Sequence, residues 1–419
     1  MKTRALIGAA LLVCCLGMPP LARPARPTYA ATTITFWVRA SEASTSQPLV
    51  KAYNATHTTQ VSLNLIPDPQ FATKFSTASA GGTVPDVVAV DLVAMPSFAA
   101  AGQMTDLTAF AHGLPHFAQL SPSHLRLAAY QGKLYGVPYN AESSILLYNK
   151  GLFRRAGLNP NQPPTTWGQI EADSKRVTAL GHGVTGFYFS GNCASCNAFE
   201  FLPLIWADGG DVLNAAGTKA TLMSPAVKDA LTFYHRLWTE NQMLPGAKTD
   251  AGANFVGAFT TGKVGMVALG QFAIALTKAL APTIDVGVGY LPGKTGSWSS
   301  FAGGNIIGIP RGSGHIKEAQ DFIAWCLSTD TQVKLFAQQG HIPVRTDLAA
   351  NSYSKLDPRY LVANVALTRG RDPYSVRYNQ LFNDPNGPWG ALVHQAVFGG
   401  DIDQAIATAQ QRFTQILTS

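Results

Sequence analysis

The chain has 419 residues, of which 46% are hydrophobic and 13% are charged, and this composition indicates a globular protein and excludes a disordered one. A single hydrophobic core usually stops growing well below this length, so we expect two domains or lobes. The formal net charge is +7, but lysine and arginine form no cluster interleaved with aromatic residues, so we expect no nucleic-acid partner.

The first 30 residues have the pattern of a secretory signal peptide. Two basic residues precede an apolar run over residues 5–18, and we predict cleavage after Ala30. Loss of the four basic residues in this segment lowers the formal charge from +7 to +3. Cys14 and Cys15 leave a lipid-modified cysteine open, although neither follows the small residue that lipidation favours. We expect an exported protein, periplasmic or extracellular, held at the outer face of the cytoplasmic membrane if it is lipid-modified.

The first hundred residues alternate short β-type runs with helical runs. The predicted elements are a strand over residues 34–38, a helix over 46–57, and strands over 61–67 and 85–91. This alternation predicts an α/β architecture with mainly parallel sheets flanked by helices. In such sheets a ligand binds beyond the carboxyl ends of the strands, where Ser41, Glu42 and Asp91 lie.

Residues 134–170 join an extended run to a loop and then to the start of a helix. Pro138 fixes φ and donates no ladder hydrogen bond, so residues 137–139 are predicted to be extended. Thr165 or Thr166 can cap the helix that follows. We interpret this segment as the first of three crossings between two lobes.

The rest of the chain predicts a second lobe and two further crossings. The predicted elements are strands over residues 183–189 and 301–310, and helices over 199–207, 224–240, 254–261, 316–339 and 402–417. The first lobe is predicted to comprise residues 31–139 and 291–340, and the second 143–285 and 345–419. The predicted hinge lies near residues 139–143, 285–291 and 340–345.

Three cysteines follow the predicted cleavage point. Cys193 and Cys196 are expected to form a short disulfide, since the chain is exported and the pair lies in what the sequence predicts to be a polar loop. A zinc site would need a second ligand pair that the sequence does not supply, so we expect no metal. Cys326 lies in an apolar helical run and is expected to be a buried thiol.

Several segments resemble one protein family in the same order along the chain. They are YGVPYN, LLYNKGLFRRAGL and PPTTWGQI, together with PDVVAVD, WADGGDVL, FTTGKVGMVALGQF, VGVGYLPG, GGNIIGIPRGS and QQGHIPVR. The set resembles the family 1 extracellular solute-binding proteins of bacterial ABC transporters, which include maltose- and glycerol-3-phosphate-type binding proteins. The resemblance implies a two-lobed periplasmic-binding-protein fold of type II, with three interlobe crossings. It also implies a monomer without a cofactor that binds a small solute and delivers it to the permease subunits of the membrane transporter.

A sugar-binding site needs aromatic faces beside carboxylates and amides, because a sugar has apolar ring faces and hydroxyl edges. The candidate ligand-binding residues are Trp37, Ser41, Glu42, Asp91, Tyr139, Asn140, Glu142, Asn197, Phe199, Glu200, Gln271, Phe272, Gly303, Gly304, Asn305, Arg345 and Trp389. The two tryptophans could equally be core residues, and Glu42 and Asp91 could be solvated caps.

Two other functions compete with sugar binding. The carboxylates of Glu42, Asp91, Glu142 and Glu200 could serve a secreted glycoside hydrolase, but the ordered resemblance disfavours an enzyme. A glycerol-3-phosphate, glycerophosphodiester or polyol ligand is the alternative within the same fold. A phosphate would need cationic groups in the site, and Arg345 is the one basic residue that the sequence predicts there. We therefore predict a sugar or oligosaccharide.

Overall fold

The computed structural model describes residues 32–419, so the predicted signal peptide and the two cysteines within it lie outside the described residues. Ten strands form one sheet, and two more form a small ribbon. The strands are β1 (Thr33–Arg39), β2 (Gln60–Ile66), β3 (Val87–Asp91), β4 (Ala129–Tyr130), β5 (Lys133–Leu134), β6 (Val137–Asn149), β7 (Thr185–Tyr188), β8 (Val264–Gly270), β9 (Val286–Gly289), β10 (Leu291–Pro292), β11 (Trp298–Gly308) and β12 (Gly370–Arg371).

Helices pack around this sheet. They are α1 (Ala43–Asn54), α2 (Asp68–Gly81), α3 (Met95–Ala100), α4 (Thr108–Gly113), α5 (Pro122–Ala128), α6 (Lys150–Arg155), α7 (Trp167–Thr178), α8 (Ala194–Ala207), α9 (Pro225–Thr239), α10 (Gly257–Thr260), α11 (Phe272–Leu280), α12 (Ile316–Cys326), α13 (Thr329–Thr331), α14 (Ser352–Leu356), α15 (Pro358–Leu367), α16 (Pro388–His394) and α17 (Ile402–Thr418). Within residues 32–419, no helix has both the length and the apolar character needed to span a bilayer.

The sheet is mixed, which corrects the prediction of mainly parallel sheets. Its central path runs β2-β1-β3-β11-β6-β8-β7. The pairs β1/β2, β1/β3 and β7/β8 are parallel, whereas β11 is antiparallel to β3 and β6, and β6 is antiparallel to β8 and β9. The antiparallel pairs arise because the long strands β6 and β11 run in opposite directions at the centre of the sheet.

Strand β6 belongs to both halves of the sheet. Up to Ser143 its residues pair with β11, and from Ser144 onward they pair with β8. The register of this pairing shifts between Asn305 and Ile306, next to the pair of Ile306 with Pro138. Proline is tolerated at this bulge because no ladder hydrogen bond is needed from its backbone nitrogen. One continuous strand therefore connects the two halves.

The helices around Cys193 and residues 316–339 differ from the prediction. Helix α8 begins at Ala194, with Cys193 as its N-cap, so the predicted polar loop is a helix start. The reason is that the Cys193 sulfur accepts a hydrogen bond from the Cys196 backbone N–H at 3.2 Å. The sulfur thus caps the helix in the way that a serine or aspartate oxygen usually does. The predicted helical run over 316–339 is divided among α12, α13 and a π-helical turn at Gln332–Phe336.

Candidate functional site

A central cavity of about 620 Å³ lies where β1, β3, β6 and β11 meet the amino ends of α8 and α11. Eight of the predicted residues line it: Ser41, Glu42, Asp91, Glu142, Phe199, Phe272, Gly303 and Gly304. Its other principal lining residues were not predicted: Arg39, Ser44, Thr45, Val93, Ser195, Ala275, Leu276, Phe301, Gln339, Gly340, His341, Tyr378 and Asn383. A cavity of this size is typical of a small-molecule site.

Arg39 organises the polar wall of the central cavity. One terminal nitrogen donates to Asp91 Oδ2 at 3.1 Å, and the other donates to Asn305 Oδ1 at 2.9 Å and lies 3.6 Å from Glu42 Oε1. Burial alone would lower the pKa of Arg39, but the carboxylates of Asp91 and Glu42 outweigh it and raise that pKa. The guanidinium is therefore held in place by its carboxylate and amide partners.

Two predicted amides lie beneath the cavity and hold this wall. The Asn140 side chain donates to Glu42 Oε2 at 2.7 Å, and the Asn305 side chain donates to Asn140 Oδ1 at 2.8 Å. The two asparagines are paired across β6 and β11. They position the charged groups without lining the cavity themselves.

Glu142 is the carboxylate that β6 contributes to the site. Its side chain keeps some surface open to the cavity and is otherwise enclosed by protein. This burial, reinforced by the negative charges of Glu42 and Asp91 and opposed by Arg39, raises the pKa of Glu142 to about 7. Glu142 can therefore both accept and donate hydrogen bonds near neutral pH.

Phenyl rings form the opposite wall. The ring of Phe199 on α8 lies 5.3 Å from that of Phe301 and 6.4 Å from that of Phe272, measured between centroids. Phe199 and Phe272 remain partly exposed to the cavity, and Tyr378 completes this side. The rings offer flat apolar surfaces facing the carboxylates.

The two glycines of β11 bring backbone close to the floor of the cavity. Gly304 has φ of +118°, and a Cβ at this position would overlap the carbonyl oxygen of Asn140. A Cβ at Gly303 would lie 3.0 Å from the Phe199 ring and 3.3 Å from Glu142 Oε2. Gly304 is thus required both for its backbone conformation and for space, whereas a Cβ at Gly303 would meet only side chains.

His341 and Thr45 line the cavity as a hydrogen-bonded pair. His341 Nε2 and Thr45 Oγ1 are 2.8 Å apart. Burial lowers the pKa of His341 to about 4, so this ring is neutral at pH 7. Arg39 is consequently the cationic side chain of the central cavity at neutral pH.

Three predicted aromatic residues lie away from the cavity. Tyr139 is fully buried and its hydroxyl is 2.9 Å from that of Ser46, while Trp389 is fully buried beside Phe382. Trp37 is half-buried on β1, with the Lys74 Nζ 5.0 Å from its ring centroid. Large aromatic side chains fill cores as readily as they line sites, so the sequence pattern could not tell which of these residues lie outside the cavity.

Four predicted polar residues are also elsewhere. On α8, Ser195 and Phe199 are four residues apart and share the face toward the cavity. Asn197 and Glu200 lie on other faces of the same helix and are buried. Gln271 is buried and accepts a hydrogen bond from the Ser143 backbone N–H at 3.0 Å. Arg345 is buried and pairs with Asp347 at 2.6 Å.

The unpredicted lining residues differ in how far the sequence could have indicated them. Arg39 ends β1 at the same edge as Ser41, so the rule that selected Ser41 also applies to it. Tyr378 and Asn383 lie at the two ends of a π-helical turn, Asn379–Asn383 with Tyr378 as its N-cap, for which the sequence has no clear start signal. Only the tertiary fold brings them to the cavity.

A disulfide joins Cys193 to Cys196 at the rim of the central cavity. Ser195 lies between the two cysteines and lines the cavity, and Phe199 follows one helical turn later. Residues 32–419 contain no group of three or more histidine, cysteine, aspartate or glutamate side chains placed to hold a metal ion.

Curated relatives share part or most of the chain. A protein named as a binding protein in Brucella abortus is 29% identical over 235 residues, which is 56% of this chain and 55% of that protein. The diacetylchitobiose binding protein DasA of Streptomyces coelicolor is 25% identical over 85% of this chain and 84% of its own. The sn-glycerol-3-phosphate-binding periplasmic protein UgpB of Brucella abortus is 28% identical over 55% of this chain and 53% of its own. The chain thus spans about half the length of the first of these relatives.

Solved structures share the fold over nearly the whole chain. An ABC transporter solute-binding protein of Thermotoga lettingae bound with α-D-tagatose has a TM-score of 0.80 at 24% identity, covering 92% of this chain and 100% of that one. The sugar-binding protein MalE of Xanthomonas citri has a TM-score of 0.82 at 22% identity, covering 92% and 98%. These similarities confirm the two-lobed periplasmic-binding-protein fold.

The model of one protein family matches residues 48–360, about three quarters of the chain. Its description is bacterial extracellular solute-binding protein. The family agrees with the ordered sequence segments and with a cavity that has room for a small solute. The chain belongs to the bacterial extracellular solute-binding protein family.

Proposed function

We propose that the chain is the extracytoplasmic solute-binding component of an ABC importer and that it captures a sugar or oligosaccharide for delivery to a membrane permease. The observation that carries the proposal is the central cavity, in which Glu42, Asp91 and Glu142 face the rings of Phe199 and Phe272. A sugar matches both walls, because its hydroxyls donate to carboxylates while its ring faces stack on phenyl groups. No reaction on the ligand is part of this proposal.

The charge balance of the cavity favours a neutral ligand over glycerol phosphate. Arg39 is already bonded to Asp91 and Asn305. A phosphate group would have to displace these partners and would lie near the carboxylates of Glu42 and Glu142, which repel it. The similarity to UgpB keeps a glycerol-phosphate or polyol ligand as the second candidate.

We propose that the two lobes comprise residues 31–139 with 291–340, and 143–285 with 345–419. The central cavity takes its carboxylates and Arg39 from the first lobe and the β6 crossing, and Phe199, Phe272 and Tyr378 from the second. A ligand that contacts both sets binds the closed form better and therefore shifts the population toward it. The permease can then distinguish loaded from empty protein.

The proposed hinge follows the strand pairings. Near residues 139–143, β6 changes partner from β11 to β8, and Ala141 forms a bridge with Ile342 in the crossing near 340–345. The second crossing was predicted near residues 285–291, and we propose that it extends to about residue 294. Pro292 accepts a hydrogen bond from Trp167 and Lys294 pairs with Asp229, so both still contact the second lobe.

The experiment that tests this function is a thermal-shift screen of the protein without residues 1–30. Its panel contains mono- and oligosaccharides, polyols, glycerol phosphate, phosphodiesters, amino acids and peptides. We expect sugars to raise the melting temperature and Glu142→Ala to abolish that rise. A rise with amino acids or peptides and none with sugars would overturn the sugar proposal, and a rise with glycerol phosphate alone would select the second candidate.

Light scattering on the same sample tests the proposed monomeric state. Export and the choice between a free and a lipid-anchored form concern residues outside the described part of the chain. They are tested by the N-terminal sequence and the mass of the protein recovered from its native cells.

A further inference from the structure

A second cavity of about 590 Å³ opens directly beside the central one. We call it the outer cavity. It lies between the outward face of α11 and the segment formed by α14 and the start of α15. Ala275, Gln339 and Gly340 line both cavities, so the boundary between the two is a shared edge.

The outer cavity combines aromatic and polar side chains, a mixture that suits a sugar. Tyr353 and Tyr360 are half-buried in its wall, and in the described residues both form hydrogen bonds only through their backbones. Their hydroxyls are therefore available to a ligand. Two further polar side chains line the outer cavity, Lys278 from α11 and Gln338 from the segment before Gly340.

Leucines exposed at this place point independently to a ligand surface. Leu356 is 82% exposed and lines the outer cavity, while Leu276 is 42% exposed and lines the central one. Exposed leucines scattered singly need no explanation, but these two lie on either side of the shared edge. Each cavity thus has an exposed leucine in its wall, on which an apolar sugar face can pack.

From this geometry we infer that the outer cavity is a second carbohydrate subsite, which receives the end of an oligosaccharide whose first residues occupy the central cavity. The inference rests on the proposed sugar-binding function and adds the length of the ligand to it. A monosaccharide would occupy part of the central cavity and would not reach the outer one. A longer chain would pass Gly340 and contact Tyr353, Leu356 and Tyr360.

The test is a length series of one to six sugar units, measured by isothermal titration calorimetry on the protein without residues 1–30. The probes are malto-, cello- and N-acetylated chito-oligosaccharides, so that α- and β-linked chains are both represented. In the wild type we expect affinity to rise by about tenfold between the shortest sugar that binds and the members long enough to pass Gly340, a difference of about 1.4 kcal/mol.

Two kinds of variant separate the outer cavity from the central one. Tyr353→Ala and Leu356→Asn remove its contact surfaces, whereas Ala279→Trp obstructs it from the exposed face of α11. Each should remove the gain with length. Met223→Asn is the matched control, because Met223 is 65% exposed but lines neither cavity, and it should leave the series unchanged.

The outcomes distinguish this inference from the function beneath it. If short sugars bind and affinity does not rise with length, or if the variants weaken every length equally, the outer subsite is wrong while sugar binding stands. If no sugar of any length binds the wild type, the proposed function fails and the outer subsite fails with it. Melting curves of the variants show whether a loss reflects misfolding.

Discussion

At the scale of single residues, Glu142 connects the site to the stability of the fold. Its pKa is raised from 4.5 to about 7 by burial and by the neighbouring carboxylates. A carboxyl whose pKa is higher in the folded state keeps its proton longer there than in the unfolded chain. It therefore lowers the free energy of unfolding as pH rises from about 4.5 to 7, by at most about 3 kcal/mol.

The first prediction follows from that sign. Glu142→Gln should be more stable than the wild type at pH 8 and should lose most of this advantage at pH 5, because the amide cannot ionise. Chemical denaturation at both pH values measures the difference. Glu240→Gln, at an exposed position, is the control and should show little change. Equal differences at both pH values would show that ionisation of Glu142 does not cost stability.

Gly304 shows how the backbone itself is fitted to the site. The second prediction is that Gly304→Ala lowers the free energy of unfolding by about 2 kcal/mol or more, because it combines a positive φ with an overlap on the Asn140 carbonyl. Gly303→Ala is the matched comparison, since its Cβ meets only side chains that can move. Denaturant unfolding of the two variants tests this, and equal stability of both would contradict it.

At the scale of secondary-structure elements, α8 carries part of the aromatic wall from a disulfide-closed first turn. The Cys193–Cys196 bond fixes the turn in which Ser195 lines the cavity, and Phe199 follows on the same face. Gly252, at φ of +103°, lies against both sulfur atoms, so the disulfide also packs on the neighbouring loop. The disulfide thus restrains the first turn of α8, the helix that carries Phe199.

The third prediction is that Cys193→Ser with Cys196→Ser weakens ligand binding by several-fold while the protein remains folded. A loop this short contributes about 2 kcal/mol to stability through chain entropy, which a fold of this size can lose. Calorimetric titration of the double variant, and of reduced wild type, measures the effect. Cys326 is buried and remains as the only thiol of residues 32–419 in the variant. A lower melting temperature with unchanged affinity would limit the disulfide to a structural role.

Strand β6 shows how far the sequence could predict the site. Asn140 and Glu142 were predicted together with Tyr139, but side chains alternate between the faces of a strand. Asn140 and Glu142 share the face toward the site, so Tyr139 has to point into the core, where it lies 5.8 Å from Phe36. The sequence thus indicated a strand that lines the cavity. The alternation of side chains along that strand would have excluded Tyr139 from the candidate site residues. Nothing local in the sequence could have indicated Tyr378, which reaches the cavity through tertiary contacts alone.

At the scale of the whole molecule, the alternating pattern predicted the α/β class, but it did not predict the sheet order. Parallel pairs such as β1/β2 follow from local alternation of strand and helix. The antiparallel pairing of β6 with β11 joins residues far apart in the sequence, such as Asn140 and Asn305, which are 165 positions apart. Pairing at such separation depends on how the lobes fold together. For this reason the mixed sheet could not be read from neighbouring residues.

The lobes proposed here are joined by contacts outside the hinge, and Arg126 makes three of them. From α5 in the proposed first lobe, its two terminal nitrogens donate to the backbone carbonyls of Asp372 at 2.9 Å and Ala215 at 3.0 Å. Its guanidinium also lies 5.7 Å from the Tyr374 ring. All three partners belong to the proposed second lobe. If closure brings these groups together, part of the free energy of ligand binding comes from bonds that do not touch the ligand.

The final prediction is that Arg126→Ala lowers ligand affinity by about fivefold, or about 1 kcal/mol, which is the net contribution of one typical hydrogen bond. Arg236→Ala is the matched control, because Arg236 pairs with Glu171 inside the proposed second lobe and should leave affinity unchanged. Titration calorimetry gives the affinities, and small-angle scattering with and without ligand reports closure. Unchanged affinity in Arg126→Ala would mean that these bonds persist in the open form. Higher affinity would mean that the Arg126 bonds stabilise an arrangement of the lobes different from the one that the ligand binds.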